Sequence, residues 1–488
     1  MKIMMKRYAI FVLLFLVNCA VYATYTKRYD INLKCEVLKG NTMYESIYIK
    51  SIELSEGGRY FLVNENDNKI LLEDNFGKLV YIKYNTVEEL WKATILKTVI
   101  PEIWVKRGPQ LELRKEMELD AIDYIQTIKK NNLEIKDPLL ENYIYSLVKK
   151  ILPEELVDGR TTDINIVITK DDSRNVAIFP NGTMVINAGM LSMIKTEEEL
   201  MAVLAHEIAH YVLEHNVDNV NKAITRKKRA EFWSAVATGL TAVGEVALAA
   251  KNTNYIPGLA TMSMAALSSA VGNAVVDRLG MKYNHEQEYE ADDMSREVLR
   301  LLGYDSNAMS KVLERLRLAD NKDGVRSEFV TSYTHPSLME RINAEGKVTL
   351  SYDNEFESMM SLPIKSVAEV KYANKHFREA IAIVDININN KVAIPEDYII
   401  KINSSLALYN EQGEDLLKIA EEARGLYPES MALMESEIKV HIYMKNYVKA
   451  LSLIDEYEKQ LRLIMSDISN EIQWIRAVRR RCEKNIQK

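Results

Sequence analysis

Cysteine is scarce in this chain of 488 residues: there are three. One of them, Cys19, falls in an N-terminal segment that reads as a cleavable signal. That leaves Cys35 and Cys482, far apart in the chain, so no disulfide framework is available and two unpaired thiols are expected. Cys35 stands on the apolar side of Ile31-x-Leu33-x-Cys35-x-Val37, as a strand packing residue would. No G-x-S-x-G occurs, which removes the strand-to-helix serine nucleophile, and the few cysteines lack the company a thiolate nucleophile needs. A basic stripe is missing too. The formal net charge is −7, and cleavage after Ala23 would remove three positive charges and take it to −10, which argues against nucleic acid as a partner.

Residues 1–23 have the order of a secretory signal. Lys2, Lys6 and Arg7 form a basic start, Ala9 to Val17 an apolar core, and Val21-Tyr22-Ala23 a small-residue cleavage pattern. The apolar run is short for a membrane span. Leu16-Val17-Asn18-Cys19 hints at lipidation of Cys19, although asparagine before the cysteine is unusual. The expected location is the periplasm.

Histidine is also rare, seven in all, yet two fall in His206-Glu207-Ile208-Ala209-His210. Four positions apart on a helix, both imidazoles share a face and can reach one metal ion, with Glu207 beside it as a general base. Thr196 and Glu199 predict a capping box at the start of that helix. Glu197 and Glu198 lie in its positive first turn. From Leu200 to Val212 the helix is apolar on most sides and is expected to be buried.

A catalytic zinc has three protein ligands and keeps a fourth position for water. Asn284 to Asp292 offers the third. Glu288 and Asp292 share a helix face, so one could bind metal while the other accepts the ring N–H of a ligating histidine. Spacing alone leaves Glu288 only modestly ahead of Glu286 and Glu290, which read as a solvated face. His215, His285, His376 and His441 read as surface or packing residues.

Glu288-x-x-x-Asp292 downstream of HExxH resembles the zinc peptidases of the HtpX, Oma-like and CAAX prenyl endopeptidase family. Asp137-Pro138-Leu139 to Tyr143, Asn175 to Gly182, Met184 to Met190, and Thr334-His335-Pro336 with Arg341 resemble further motifs of that family. The resemblance covers roughly residues 110–345 and is nearest the periplasmic BepA-like branch. Val176 and Asn181 depart from the usual alanine and glycine. The resemblance implies a gluzincin-type domain holding one Zn2+ per chain through His206, His210 and Glu288, with Asp292 behind the ligands. It also implies that His335 lies near the zinc, either stabilising the oxyanion or blocking the open coordination position. It makes Asn175, Val176 and Ala177 part of an edge strand on which an extended substrate pairs through its backbone; an ordinary core strand fits the apolar run equally.

Zinc lowers the pKa of bound water from about 15.7 to about 7, roughly 12 kcal/mol of easier ionisation. Glu207 is then placed to take the proton and pass it to the leaving amine.

The fold class expected is α+β and mostly helical, in three units after the signal. Residues 24–105 are a β-rich module of short strands around Gly57-Gly58, Asn66-Asp67 and Gly77, 106–350 the peptidase domain with a small sheet, and 351–488 a helical repeat domain. Phe377-x-x-Ala380 and Tyr447-x-x-Ala450 lie 70 residues apart, with a helix pair ending at Tyr427-Pro428 between them. This resembles tetratricopeptide repeats, of period about 34, which present a concave surface to peptides or partner proteins; a plain helical bundle is the alternative. Residues 232–276, preceded by Arg226-Lys227-Lys228-Arg229, are rich in small apolar residues. Glu245 and Asn273 favour a helical hairpin beside the cleft or on the membrane surface over a spanning one. The function expected is removal of misfolded or stalled envelope proteins, the tail choosing clients or docking on an assembly machine. A non-proteolytic chaperone or assembly scaffold is the alternative.

Overall fold

The computed structural model describes residues 26–39, 43–55, 69–73, 79–95, 109–152, 163–217, 219, 283–323, 341, 348–408, 413–464 and 468–487. The signal with Cys19, the stretch 232–276 and His335 lie outside the described residues.

Four strands come first: β1 (Thr26–Lys39), β2 (Met43–Ser55), β3 (Lys69–Glu73) and β4 (Leu79–Lys83). They form an antiparallel sheet in the order β2-β1-β4-β3. Not every described element within the residues expected as the β-rich module is a strand. Val87–Ile95 is a helix, α1, and its Trp91, 0 % exposed, packs in the same core as the helices that follow. Trp91 Nε1 donates to the carbonyl of Ile151 at 2.6 Å, and Tyr84 donates to Glu297.

Helices α2 (Pro109–Lys130) and α3 (Pro138–Ile151) precede a three-stranded sheet. Asp137 caps α3 by accepting from the N–H groups of Leu139 and Leu140, with Pro138 in the first turn, where its missing N–H costs nothing. β5 (Asn165–Thr169) runs parallel to β7 (Thr183–Asn187), and β6 (Val176–Ile178) pairs antiparallel with β7, giving the order β5-β7-β6. The turn into β7 is built by Pro180-Asn181-Gly182. Gly182 has φ 77°, and the Asn181 side chain accepts from the Thr183 N–H, a role the usual glycine could not fill.

After α4 (Ala188–Met193) comes α5 (Glu197–Val212), which carries HExxH. It is buried from Glu199 to Val212. Leu200, Leu204 and Ile208, each 0 % exposed, contribute about 1.5–3 kcal/mol apiece by burial, so packing rather than propensity holds this helix. Only half of the predicted capping box forms. Thr196 Oγ1 accepts from the Glu199 N–H at 3.3 Å, but the Glu199 carboxylate reaches past the cap to the Lys195 N–H and to Arg315.

Helix α6 (His285–Leu302) lies along α5, and α7 (Ala308–Asp323) supplies Arg315. Then come α8 (Asn354–Met359), α9 (Ser361–Ala373), α10 (Phe377–Asn389), α11 (Pro395–Ala407), α12 (Gly413–Leu426), α13 (Met431–Tyr443), α14 (Tyr447–Ile464) and α15 (Ser469–Ile486). Phe356, Met360, Ile364 and Val367 of α8 and α9 join the core that holds α5, so the helical tail is packed onto the domain before it. Cys482 is a free, buried thiol. Among the described residues no helix is long and apolar enough to cross a membrane.

Candidate metal centre

Helices α5 and α6 together build the site. On α5, His206 and His210 project from one face, and their Nε2 atoms lie 3.0 Å apart. On α6, Asn284 and Gln287 cap each other reciprocally, which sets the helix start four residues before Glu288. The Glu288 carboxylate stands 3.5 Å from His206 Nε2 and 3.4 Å from His210 Nε2. All three residues are buried, and one donor atom from each lies within 4.8 Å of the other two. Two imidazole nitrogens and a carboxylate oxygen are the donor set of a zinc site with a position left for water.

Each donor is held from behind. His206 Nδ1 lies 2.9 Å from Asp292 Oδ1, so that side of the ring faces the carboxylate and Nε2 is turned toward His210 and Glu288. Asp292 is in turn held by Arg341, whose Nε and Nη2 donate at 2.7 and 2.5 Å, while Nη1 lies 3.1 Å from Glu288. The His210 ring stacks on Tyr283, centroids 3.6 Å apart and 11° from parallel. Tyr283 donates to Asn216, and Asn216 Nδ2 donates to the Ile178 carbonyl at 2.7 Å, which links the site to β6.

The charges reflect this confinement. Burial works against a charged His206, yet Asp292 and Glu288 beside it raise its pKa to about 10. Burial holds His210 well below the ordinary histidine value. Burial pushes Glu207 up to about 8, with the Glu288 charge adding to it and His206 opposing. Asp292 resists its own burial because the Arg341 charge holds it at about 2. Glu207 is 1 % exposed, and its Oε1 has no hydrogen-bond partner within the protein.

Glu286 is exposed, and Glu290 lies against His215 instead of on a solvated face. His215, expected as a surface or packing residue, is 5 % exposed and lies against the site itself, with Nδ1 2.8 Å from His210 Nδ1. His441 is buried, and His285 and His376 are exposed. β6 is the end strand of its sheet among the described residues. Asn175 and Ala177 turn their backbone toward β7, so of the three expected substrate-strand residues only Val176 turns its N–H and C=O outward. All side chains of β6 are buried.

Residues 138–347 match Peptidase family M48, a span that contains every side chain described for this centre. The segment is an M48 domain. Its relatives are metallopeptidases. The chain is 26 % identical over 218 residues to the beta-barrel assembly-enhancing protease of Escherichia coli strain K12, covering 44 % of this chain and 40 % of that one. It is 23 % identical over 238 residues to the mitochondrial metalloendopeptidase OMA1 of Schizosaccharomyces pombe, 48 % of this chain and 60 % of that one. With the metalloprotease LoiP of Escherichia coli the figure is 27 % over 185 residues, 38 % and 62 %. The chain thus spans less than half the length of the assembly-enhancing proteases it matches. Sequence reasoning on the M48 domain missed His215, Tyr283 and Asn216, and gave Arg341 no role. The histidine five residues after His210 and the arginine six residues after His335 were the available signals.

Proposed function

We propose that this chain is a zinc-dependent endopeptidase that hydrolyses misfolded or stalled proteins of the cell envelope, acting in the periplasm. The observation that carries the reading is the buried convergence of His206, His210 and Glu288 with Glu207 one residue away on the same helix. These three side chains would hold one Zn2+ per chain, which when bound supplies Lewis acidity at neutral pH. Asp292 and Arg341 orient the donors. Glu207 accepts a proton from the attacking water and returns it to the leaving nitrogen. His335, placed by family resemblance, either stabilises the oxyanion or restrains the enzyme. An extended substrate segment pairs with the outward backbone of β6 at Val176, which implies weak dependence on substrate sequence.

The envelope substrate is supported by the name of the assembly-enhancing relatives and by the signal-like start of the chain. The tail is read as tetratricopeptide-like, docking clients or assembly machinery. Two turns 70 residues apart support this. Lys375 (φ 63°) and Lys445 (φ 61°) end α9 and α13 alike, and His376 N and Asn446 N donate to the carbonyls five residues back, Lys371 and His441. Ala380 and Ala450, 0 % exposed, then seat the following helices.

The test is metal analysis with cleavage of casein by the full chain and its Glu207→Gln and His335→Ala variants. Glu207→Gln is expected to keep one zinc and lose about 10²–10⁴-fold in cleavage rate. Survival of the cellular function in the Glu207→Gln strain would replace the protease with a scaffold.

A further inference from the structure

His206 has a well-defined outer partner in Asp292; His210 has a different one. Helix α5 ends at Val212, and Glu214 adopts φ 56°, a left-handed conformation that costs a non-glycine residue about 1 kcal/mol. That turn folds the chain back so that His215 returns beside His210. The two rings meet Nδ1 to Nδ1 at 2.8 Å, with centroids 5.0 Å apart. The far nitrogen of His215, Nε2, lies 3.4 Å from Glu290 Oε2 on α6.

Only one proton fits between two facing Nδ1 atoms. For His210 to present a lone pair at Nε2, beside Glu288 and His206, its proton must be on Nδ1. His215 Nδ1 then accepts, its own proton stands on Nε2, and that N–H faces the Glu290 carboxylate. The chain Glu290, His215, His210 is therefore the counterpart of Arg341, Asp292, His206.

We propose that His215, backed by Glu290, is a positioning residue that sets the tautomer and ring orientation of His210 for metal binding. This rests on the reading of His206, His210 and Glu288 as the metal cage. Outer partners of this kind are worth about 10–100-fold in metal affinity.

The experiment is zinc affinity of the full chain by competition with a fluorescent chelator, for wild type, His215→Ala, His215→Asn and Glu290→Ala. His215→Ala is expected to bind zinc about 10–100-fold more weakly. In His215→Asn the amide oxygen takes the place of Nδ1 as acceptor, so affinity should return to within about fivefold of wild type, a rescue that mere filling of space would not give. Glu290→Ala, at a partly exposed position, should fold normally and weaken binding by a few-fold. The inference is overturned if His215→Ala and Glu290→Ala both bind as wild type does, or if His215→Asn is as weak as His215→Ala. A wild type that takes up no zinc would overturn the cage itself, and is distinguished by its stoichiometry before any variant is compared.

Discussion

Replacing Arg341 by methionine probes how the site is held. Arg341 is 2 % exposed, and its guanidinium touches two carboxylates at once, Asp292 through two donors and Glu288 at 3.1 Å. Methionine keeps much of the volume and removes the charge, leaving Glu288 and Asp292 buried beside Glu207 with His206 as their cation. Breaking a buried ion pair from one side costs about 3–5 kcal/mol. For a domain of this size each kcal/mol moves Tm by about 2–4 °C, so a fall of roughly 6–20 °C is expected in chelator. Zinc restores positive charge to the same carboxylates, so the gap between variant and wild type should narrow by at least half when both are loaded. Differential scanning fluorimetry in EDTA and in excess zinc reads both numbers. A drop under 2 °C in EDTA, or an equal drop in both conditions, would refute the charge argument; the second result would make Arg341 a packing residue only.

Two further changes test the frame around the site. At Gly189 an added Cβ would lie 2.1 Å from the Asp172 carbonyl oxygen and 2.5 Å from that of Ser173, both backbone. Gly189→Ala should therefore lower unfolding free energy by about 1–3 kcal/mol or more in urea titration, and a loss under 0.5 would contradict the contact. Asp397, 0 % exposed at the start of α11, is pushed up from 3.8 to about 6 by burial, against the Ile394 N–H and Asn387 amide it accepts. Its folded pKa is above the unfolded one, so its contribution is full below about pH 4 and is lost as pH rises through 6. Against Asp397→Asn, wild type should lose about 3 kcal/mol between pH 4 and 7.5; a pH-independent difference would refute the assignment.

The sequence made the HExxH helix legible because its signals are local: a threonine cap, acidic first turn and an unbroken apolar run. The place of Glu288 was only half legible. Helical spacing put Glu288 and Asp292 on one face, but it could not show that Glu286 is exposed while Glu290 meets His215. What was illegible depends on contacts between distant segments. Glu199 reads as a capping-box residue, and only the fold brings Arg315, 116 positions away, to take both its oxygens at 2.9 Å. Trp91 reads as part of the β-rich module until α1 is seen in the core of the next unit. His215 reads as an ordinary surface or packing residue because nothing in the composition announces a left-handed Glu214.

The two helices of the site explain why so much depends on their register. Ser295 of α6 donates to the Ala202 carbonyl of α5 at 2.8 Å, one turn from where Asp292 meets His206. Ala202, Ala205 and Ala209 on α5 and Ala291 on α6 are each 0 % exposed, and side chains this small let the two backbones approach closely. Glu288, Glu290 and Asp292 all ride on α6: one faces both histidines, one backs His206 and one reaches His215. A slip of one helical turn would therefore separate Glu288, Asp292 and Glu290 from their histidine contacts together. The donors are positioned by a close-packed helix interface, which has discrete arrangements rather than a continuum of them, and not by loops. A site built that way holds its donors together through the fold itself, and the cost of gathering the Glu288 and Asp292 carboxylates into one buried place is met by Arg341 and His206.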